Sequence, residues 1–211
     1  IIRNAAGLGK APPNADPDRY ASRFAHCDVL IVGAGPAGLA AALAAAESGA
    51  RVILCDEQAE FGGALLAEQA ARIDGEAAWD WIEATLARLA NNERVKLLRR
   101  TQAFGYFAQN FVALAERVTD HLPDPDGRLP RERLWQVRAK QVVLATGAIE
   151  RPLVFPGNDR PGIVLADVAR TYVNRYGVKP GTRVVVLTAI DTAYDEAIEL
   201  HKAGVEGVLM A

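Results

Sequence analysis

The chain has 211 residues, of which 50% are hydrophobic and 24% are charged, and its formal net charge is −2. This balance is typical of a globular protein, and the length accommodates one complete domain and part of another. A charge so close to zero gives no reason to expect nucleic acid as a partner. The uncharged run 29–46 resembles a membrane span only in length, because Gly and Ala dominate it and Pro36 interrupts it. No secretory signal opens the chain, so a cytoplasmic location is expected.

Residues 1–26 show no apolar periodicity and contain several prolines among Gly, Asn and Asp residues. This composition predicts an extended arm or linker ahead of the first domain. The chain also begins with Ile1 instead of methionine. We therefore expect a piece of a longer polypeptide or a processed product.

The clearest functional signal follows this arm. Residues 29–32 form a short apolar run that predicts a strand buried on both faces. An Ala-rich, helix-favouring segment follows the loop Gly33-Ala34-Gly35-Pro36-Ala37-Gly38. In a dinucleotide-binding βαβ unit the first glycine permits the turn and the second lets the backbone approach a pyrophosphate, while the third lets the helix pack on its strand. Pro36 and Ala37 begin the helix, and the N-terminus of the helix then faces the phosphates. The alternative is a βαβ turn that holds no ligand.

Asp56 ends the second predicted strand, 52–55, about 20 residues after the glycine loop, where the ribose-binding acid of such units belongs. A carboxylate accepts hydrogen bonds from a ribose 2′-OH and repels a 2′-phosphate, which favours NAD or FAD over NADP. Glu57 is the neighbouring candidate for this role. Gly62 and Gly63 suit a second close approach of the backbone to the nucleotide, or else form an ordinary loop.

Cys27 and Cys55 are the only cysteines, and their separation excludes a CxxC motif. They are predicted to be small buried thiols and not a redox pair or a disulfide. The three histidines lack metal-ligand spacing, so no metal site is expected. No catalytic residue can be assigned.

Apolar spacing predicts an amphipathic helix over 76–91, after which the period shifts towards strands. The later strands are expected to form a small antiparallel meander, packed by its own aromatic residues, inserted into the parallel fold. They are predicted at 95–98, 102–107, 111–115 and 134–138. A further buried strand, 141–145, ends in Thr146 and Gly147, a small pair that can pass close beneath a nucleotide.

The last part of the chain repeats the opening unit without gaps, at a constant offset that aligns residue 184 with 29 and residue 204 with 49. At the three loop-glycine positions the second copy has Thr188, Ile190 and Ala193. Ile190 is expected to fill the space of a pyrophosphate, and Asp191 puts a negative charge at the helix start. The second copy is therefore predicted to keep the fold and lack the ligand.

These patterns predict an α/β fold: a Rossmann-like parallel sheet with an inserted antiparallel β-meander, followed by an incomplete second Rossmann-like unit. We place the dinucleotide-binding domain at 27–153 and the start of the second unit at 154–211. The chain stops at Ala211, the position that aligns with the acid of the first unit. The second unit is accordingly expected to be cut off within a longer polypeptide.

Two such units and an Ala-Thr-Gly strand end resemble the two-dinucleotide-binding-domain flavoproteins. Longer stretches resemble the α subunits of heterotetrameric sarcosine oxidases, and opine-oxidase and hydrogen cyanide synthase subunits share part of the pattern. The motifs that carry this resemblance lie at 2–9, 26–28, 145–152, 158–162 and 175–178.

The resemblance implies a bacterial cytoplasmic complex of α, β, γ and δ subunits that oxidatively demethylates sarcosine to glycine and reduces oxygen to hydrogen peroxide. It implies a tightly bound NAD+ on α that takes no part in turnover, FAD on β, and FMN at the α/β interface. A distant α domain uses tetrahydrofolate to capture formaldehyde. By motif, nucleotide contacts fall on Gly33, Gly35, Gly38, Asp56 and Gly147.

Three hypotheses follow for the function of the chain. The first is an NAD+-holding segment of an amine-oxidising complex, and the second is an FAD-binding segment of another oxidoreductase with an unusual electron partner. The third is a non-catalytic scaffold that its nucleotide stabilises, since a tight ligand can contribute several kcal/mol.

Overall fold

The computed structural model describes Gly7 and residues 13–210, with side chains as far as Glu206. Most of the predicted arm before residue 13, the motif at 2–9 except Gly7, and Ala211 lie outside the described residues. In chain order the strands are β1 (Tyr20–Val32), β2 (Val52–Cys55), β3 (Arg72–Ile73), β4 (Glu76–Ala77), β5 (Val95–Leu98), β6 (Thr101–Phe107), β7 (Phe111–Arg117), β8 (Glu132–Leu144), β9 (Arg183–Val186) and β10 (Gly207–Met210). The α-helices are α1 (Pro36–Glu47), α2 (Ala78–Ala90), α3 (Ala166–Tyr176) and α4 (Thr192–Lys202).

Six strands form the main sheet in the order β5-β2-β1-β8-β7-β6. The first four are parallel neighbours, and β7 and β6 continue the sheet in antiparallel pairing. The predicted α/β architecture with an antiparallel insertion is confirmed. The strand at 95–98 was placed wrongly in the meander, because it pairs with β2 in the parallel part.

Two sequence boundaries differ from the prediction. The strand β1 begins at Tyr20, so residues 20–26, assigned to the arm, are part of the sheet. The predicted strands 134–138 and 141–145 are one strand, β8, which pairs with β1 from Tyr20–Glu132 to Val32–Leu144. The exposed residues Lys140 and Gln141 interrupt the apolar pattern, but backbone pairing depends on main-chain groups and continues through them.

The parallel strands are covered on both faces. Ile31 and Leu54 pack with the buried residues of α1 and α2, whereas Leu30 and Ile53, on the opposite face, cluster with residues of β7 and β8. This alternation follows from the two-residue period of a strand. The expectation that aromatic residues pack the meander is wrong for Phe104, Tyr106 and Phe107 on the edge strand β6, because they are more than half exposed. Phe111 on β7 is half-buried, with its ring centroid 5.8 Å from that of Phe107.

The second unit consists of the parallel pair β9–β10 and the helices α3 and α4. Its small core contains Ala169, Leu200 and Val205. Gly177 ends α3 in the left-handed conformation, at φ 66°. The domain division at 153/154 stays a prediction. No helix in the described part of the chain combines the length and apolar character that crossing a membrane requires.

Candidate functional site

The turn from β1 into α1 requires glycine at its first position. Gly33 has φ 97°, and its N–H donates a hydrogen bond of 2.9 Å to the carbonyl oxygen of Cys55. A Cβ atom at Gly33 would lie 2.2 Å from the carbonyl oxygen of Ala145. The position therefore combines a left-handed backbone with a close approach of two chain segments, and both exclude a side chain.

Gly38 brings α1 close to this turn. A Cβ atom there would lie 1.8 Å from the carbonyl oxygen of Gly33 and 3.5 Å from the Cβ of Ala145. Helix, turn and the end of β8 consequently meet at one point, with the N-terminus of α1 at the carboxyl ends of β1, β2 and β8. In open α/β sheets ligands bind at this edge.

Gly35 differs from the other two loop glycines. Its angles, φ −71° and ψ −173°, are open to any residue. The nearest atom to an added Cβ is the Cα of Gly63, at 3.8 Å, which is ordinary van der Waals contact. Protein packing alone therefore does not require glycine here. A phosphate that needs close backbone approach fits this space, and a side chain would occupy it.

The N-terminus of α1 carries no acidic side chain of its own. Gly35 is its N-cap, Pro36 and Ala37 open the first turn, and this turn contains no acidic residue and no side-chain cap. The helix dipole places partial positive charge at this end, and the first N–H groups lack partners within the helix. The loop thus has the electrostatic character that suits a pyrophosphate.

Asp56 lies at the end of β2 and holds the glycine loop. Its Oδ2 accepts a hydrogen bond of 2.6 Å from the N–H of Ala34, and its Oδ1 accepts one of 2.8 Å from the N–H of Gln58. Carboxylate oxygens have further lone pairs, so the group can still accept from ribose hydroxyls. Glu57, the neighbouring candidate, is exposed.

Gly62 and Gly63 lie against the glycine loop. The N–H of Gly62 donates a hydrogen bond of 2.8 Å to the carbonyl oxygen of Ala34. A Cβ at Gly63 would lie 2.8 Å from the Cα of Gly35, and both residues of this turn have positive φ. The turn at 62–63 therefore forms one wall of the site.

Thr146 and Gly147 follow β8 on the other side. The N–H of Ala145 donates to the carbonyl oxygen of Val32 at 2.8 Å, so β8 leaves the sheet beside the glycine loop. Thr146 and Gly147 are exposed, and an added Cβ at Gly147 would meet no atom within 4 Å among the described residues. The structure thus brings all the sequence-predicted positions to one edge of the sheet. Sequence reasoning missed Ala34 and Ala145, because they act through main-chain atoms.

The corresponding loop of the second unit is built differently. The N–H of Ile190 donates a hydrogen bond of 3.0 Å to Oγ1 of Thr188 within this loop. The Ile190 side chain is 60% exposed, so it stands at the helix start without packing into the protein. Asp191 is the N-cap of α4, and Asp195 lies in its first turn. Two carboxylates therefore occupy the end that attracts phosphate in the first unit.

Both cysteines are free and buried, as predicted. Burial is the main cause that raises the pKa of Cys27 to about 11 and that of Cys55 to about 12. Thiols with such values carry almost no thiolate near neutral pH. Their role is packing beneath the site.

Residues 27–211 match the family model described as pyridine nucleotide-disulphide oxidoreductase. The chain belongs to this family of oxidoreductases. It is 52% identical over 208 residues to the alpha chain of sarcosine oxidase from Rhizobium meliloti (strain 1021), a match that covers 99% of this chain and 21% of that protein. It is 32% identical over 183 residues to an opine oxidase subunit from Agrobacterium tumefaciens (strain Ach5), covering 84% of this chain and 35% of that protein.

Among solved structures, the chain is similar to L-proline dehydrogenase from P. horikoshii, with a TM-score of 0.71 and 28% identity. The match covers 92% of this chain and 36% of that chain. The chain thus spans about a fifth of the length of the sarcosine oxidase relative, and about a third of the other two proteins. The resemblance to sarcosine oxidase α subunits and the Rossmann-like fold are confirmed.

Proposed function

We propose that the chain binds an adenine dinucleotide, NAD+, with the pyrophosphate beside Gly35 and the adenosine ribose on Asp56. The observation that carries the proposal is Gly35, because the backbone and the packing around it accept a side chain, so the glycine is explained by a ligand. Gly33 and Gly38 shape the turn. At the start of α1 the N–H of Ala37 and the helix dipole would face the phosphates, whereas Pro36 has no N–H and fits the first helical position.

The remaining predicted positions complete the binding site. Gly62 and Gly63 cover one side of the proposed pyrophosphate position. Thr146 and Gly147 lie on its other side. Glu57 is the alternative acid to Asp56. A carboxylate that already accepts N–H hydrogen bonds repels a 2′-phosphate, which supports NAD+ or FAD over NADP+.

NAD+ is preferred over FAD on the resemblance to sarcosine oxidase α subunits. We propose that the chain is the nucleotide-binding segment of a cytoplasmic complex of α, β, γ and δ subunits that oxidatively demethylates sarcosine to glycine and produces hydrogen peroxide. Its support is the 52% identity through nearly the whole chain. In that complex FAD on β oxidises the amine, FMN lies at the α/β interface, and tetrahydrofolate captures formaldehyde in another α domain.

The role of this chain's own residues is to hold and orient the nucleotide. A bound NAD+ supplies hydride-acceptor chemistry in principle, but a partner nucleotide must face it for transfer. The second unit, with Asp191 and Asp195 at the start of α4, does not suit one. This supports retention without turnover, and no catalytic residue is assigned.

The test is to denature the purified whole protein and identify the nucleotides that it releases by chromatography and absorbance. Variants of Gly35 assign the nucleotide held by this segment. We expect colourless NAD+ at one per chain, lost on substitution of Gly35. Loss of FAD instead of NAD+ would support the FAD-binding alternative, and a nucleotide content independent of Gly35 would overturn the site. A complex that keeps its NAD+ but makes no peroxide with sarcosine would favour the scaffold.

A further inference from the structure

One loop contacts both the glycine loop and the second unit. Residues 57–71 follow Asp56, and the turn at Gly62 and Gly63 lies against Ala34 and Gly35. The rest of this loop is anchored by Phe61, Leu65 and Leu66, which are buried in the core under α1 and α2. We call residues 60–68 the closing loop, because they form one wall of the proposed nucleotide site.

Helix α3 of the second unit contacts the closing loop on its outer side. Nδ2 of Asn174 donates a hydrogen bond of 2.8 Å to the carbonyl oxygen of Ala67. Nη2 of Arg170 lies 3.4 Å from Oε1 of Glu68. Arg170 and Asn174 are four residues apart on one face of α3, so the helix presents both to the loop together.

Arg170 is the centre of a group of acidic side chains from several elements. It pairs with Glu68 on the closing loop and with Asp167 on its own helix, at 2.8 Å. Buried Glu196 of α4 also interacts with its charge. The Arg170 side chain is only 14% exposed, so water screens these charges poorly.

Removal of Arg170 would leave carboxylates on the loop, α3 and α4 facing one another. Breaking a poorly exposed ion pair by removing one partner costs far more than losing an exposed pair. Arg175 offers the comparison on the same helix, because it pairs at 2.9 Å with Glu60, the first residue of the closing loop. The two arginines are about equally exposed, but the Glu60 side chain is 64% exposed and that of Glu68 only 34%. The closing loop would therefore separate from α3 when Arg170 is removed and stay in contact with α3 when Arg175 is removed.

We propose that Arg170 and Asn174 are positioning residues for the nucleotide site: by holding the closing loop, α3 keeps Gly62 and Gly63 against Gly35 and slows release of the dinucleotide. This rests on the proposed function. The coupling is reciprocal, so bound nucleotide also holds α3 against the loop. The second unit, which does not suit a nucleotide of its own, then serves to retain the one in the first.

The test measures dissociation of the nucleotide from the whole protein after dilution, together with backbone hydrogen exchange of residues 60–68. We expect Arg170→Met to speed dissociation at least tenfold and to raise exchange in the closing loop, but not in α1. Arg175→Met is the matched control and should stay within twofold of the wild type. Arg170→Lys, which keeps the charge, and Glu68→Gln in the Arg170→Met background should each restore part of the slow release.

Asn174→Ala is the second variant, for the case that Arg170→Met does not fold, and it should speed release several-fold. Wild-type release rates in both the Arg170 and Asn174 variants, or in Asn174→Ala alone if Arg170→Met is unfolded, would overturn the positioning role. Equal acceleration by Arg175→Met would overturn the particular role of Arg170 and Asn174, since the exposed contact to Glu60 would then matter as much as theirs. If variants of Gly35 kept the same nucleotide content as the wild type, the proposed function itself would be overturned instead.

Discussion

The carboxylate of Asp56 accepts a hydrogen bond of 2.6 Å from the backbone N–H of Ala34, 22 residues earlier in the chain. One acidic side chain therefore shapes the glycine loop and also lies at the position that we propose for the ribose. Because the same group does both, its loss should be visible with and without nucleotide.

We predict that Asp56→Ala lowers the free energy of unfolding of the nucleotide-free protein by about 2 kcal/mol, the typical size for a hydrogen bond to a charged group. Nucleotide affinity should fall at least tenfold in addition. Thermal unfolding and calorimetric titration measure the two effects. Glu57→Ala is the control, since Glu57 is exposed, and it should change stability by less than about 0.5 kcal/mol. A larger loss of affinity from Glu57→Ala would transfer the ribose-binding role to that residue.

Gly35→Ala should separate binding from folding. An added Cβ has space and the backbone angles permit alanine, so the nucleotide-free protein should unfold at the wild-type temperature. Affinity for the dinucleotide should fall at least tenfold, because the methyl group would occupy the position that we propose for the pyrophosphate. Gly38→Ala is the contrast: its Cβ would lie 1.8 Å from a carbonyl oxygen, and we expect strong destabilisation. Wild-type affinity in Gly35→Ala would contradict the proposed position of the phosphates.

Glu196 should make the second unit sensitive to pH. Its side chain is 6% exposed, and burial, followed by the charge of Glu150, raises the pKa of Glu196 above its usual 4.5. Asp167 and Glu199 act in the same direction, whereas Arg170 opposes them. A raised pKa means that the native state favours the protonated acid. This stabilisation is complete below pH 4.5 and is lost as the pH rises through the higher native value.

Glu196→Gln is therefore expected to raise the unfolding temperature at neutral pH and to flatten its decline as the pH rises above 4.5. Thermal unfolding across that range measures both effects. Glu199→Gln is the control for a general loss of negative charge on α4. It should raise the unfolding temperature less, since Glu199 accepts a hydrogen bond from Asn174. A glutamine at 196 that destabilises the protein at neutral pH would show that the ionised acid contributes to stability.

Ile190→Gly alone should not create a second nucleotide site. The substitution restores the glycine of the loop, but Asp191 and Asp195 remain at the start of α4 and repel phosphate. Titration of the variant with NAD+ should therefore give the same number of sites as the wild type. One additional site per chain would show that the side chain, and not the charge, closes the second loop.

The continuous apolar runs at 29–32 and 52–55, and the glycines at 33, 35 and 38, were sufficient to predict the first βαβ unit. These signals are local, because strand burial, turn geometry and helix packing each depend on residues close in the chain. The meander was partly misread, since Lys140 and Gln141 break the apolar pattern of β8 while its backbone pairing continues.

The sequence by itself determined the first βαβ unit and predicted where a dinucleotide would bind, because a glycine loop between a buried strand and a helix has few other uses at this spacing. Only the tertiary structure decided that packing requires Gly33 and Gly38 but not Gly35. It alone joined Asn174 to Ala67 and Arg170 to Glu68, contacts between residues more than 100 positions apart. Such contacts depend on how the two units pack, and no local pattern records that packing.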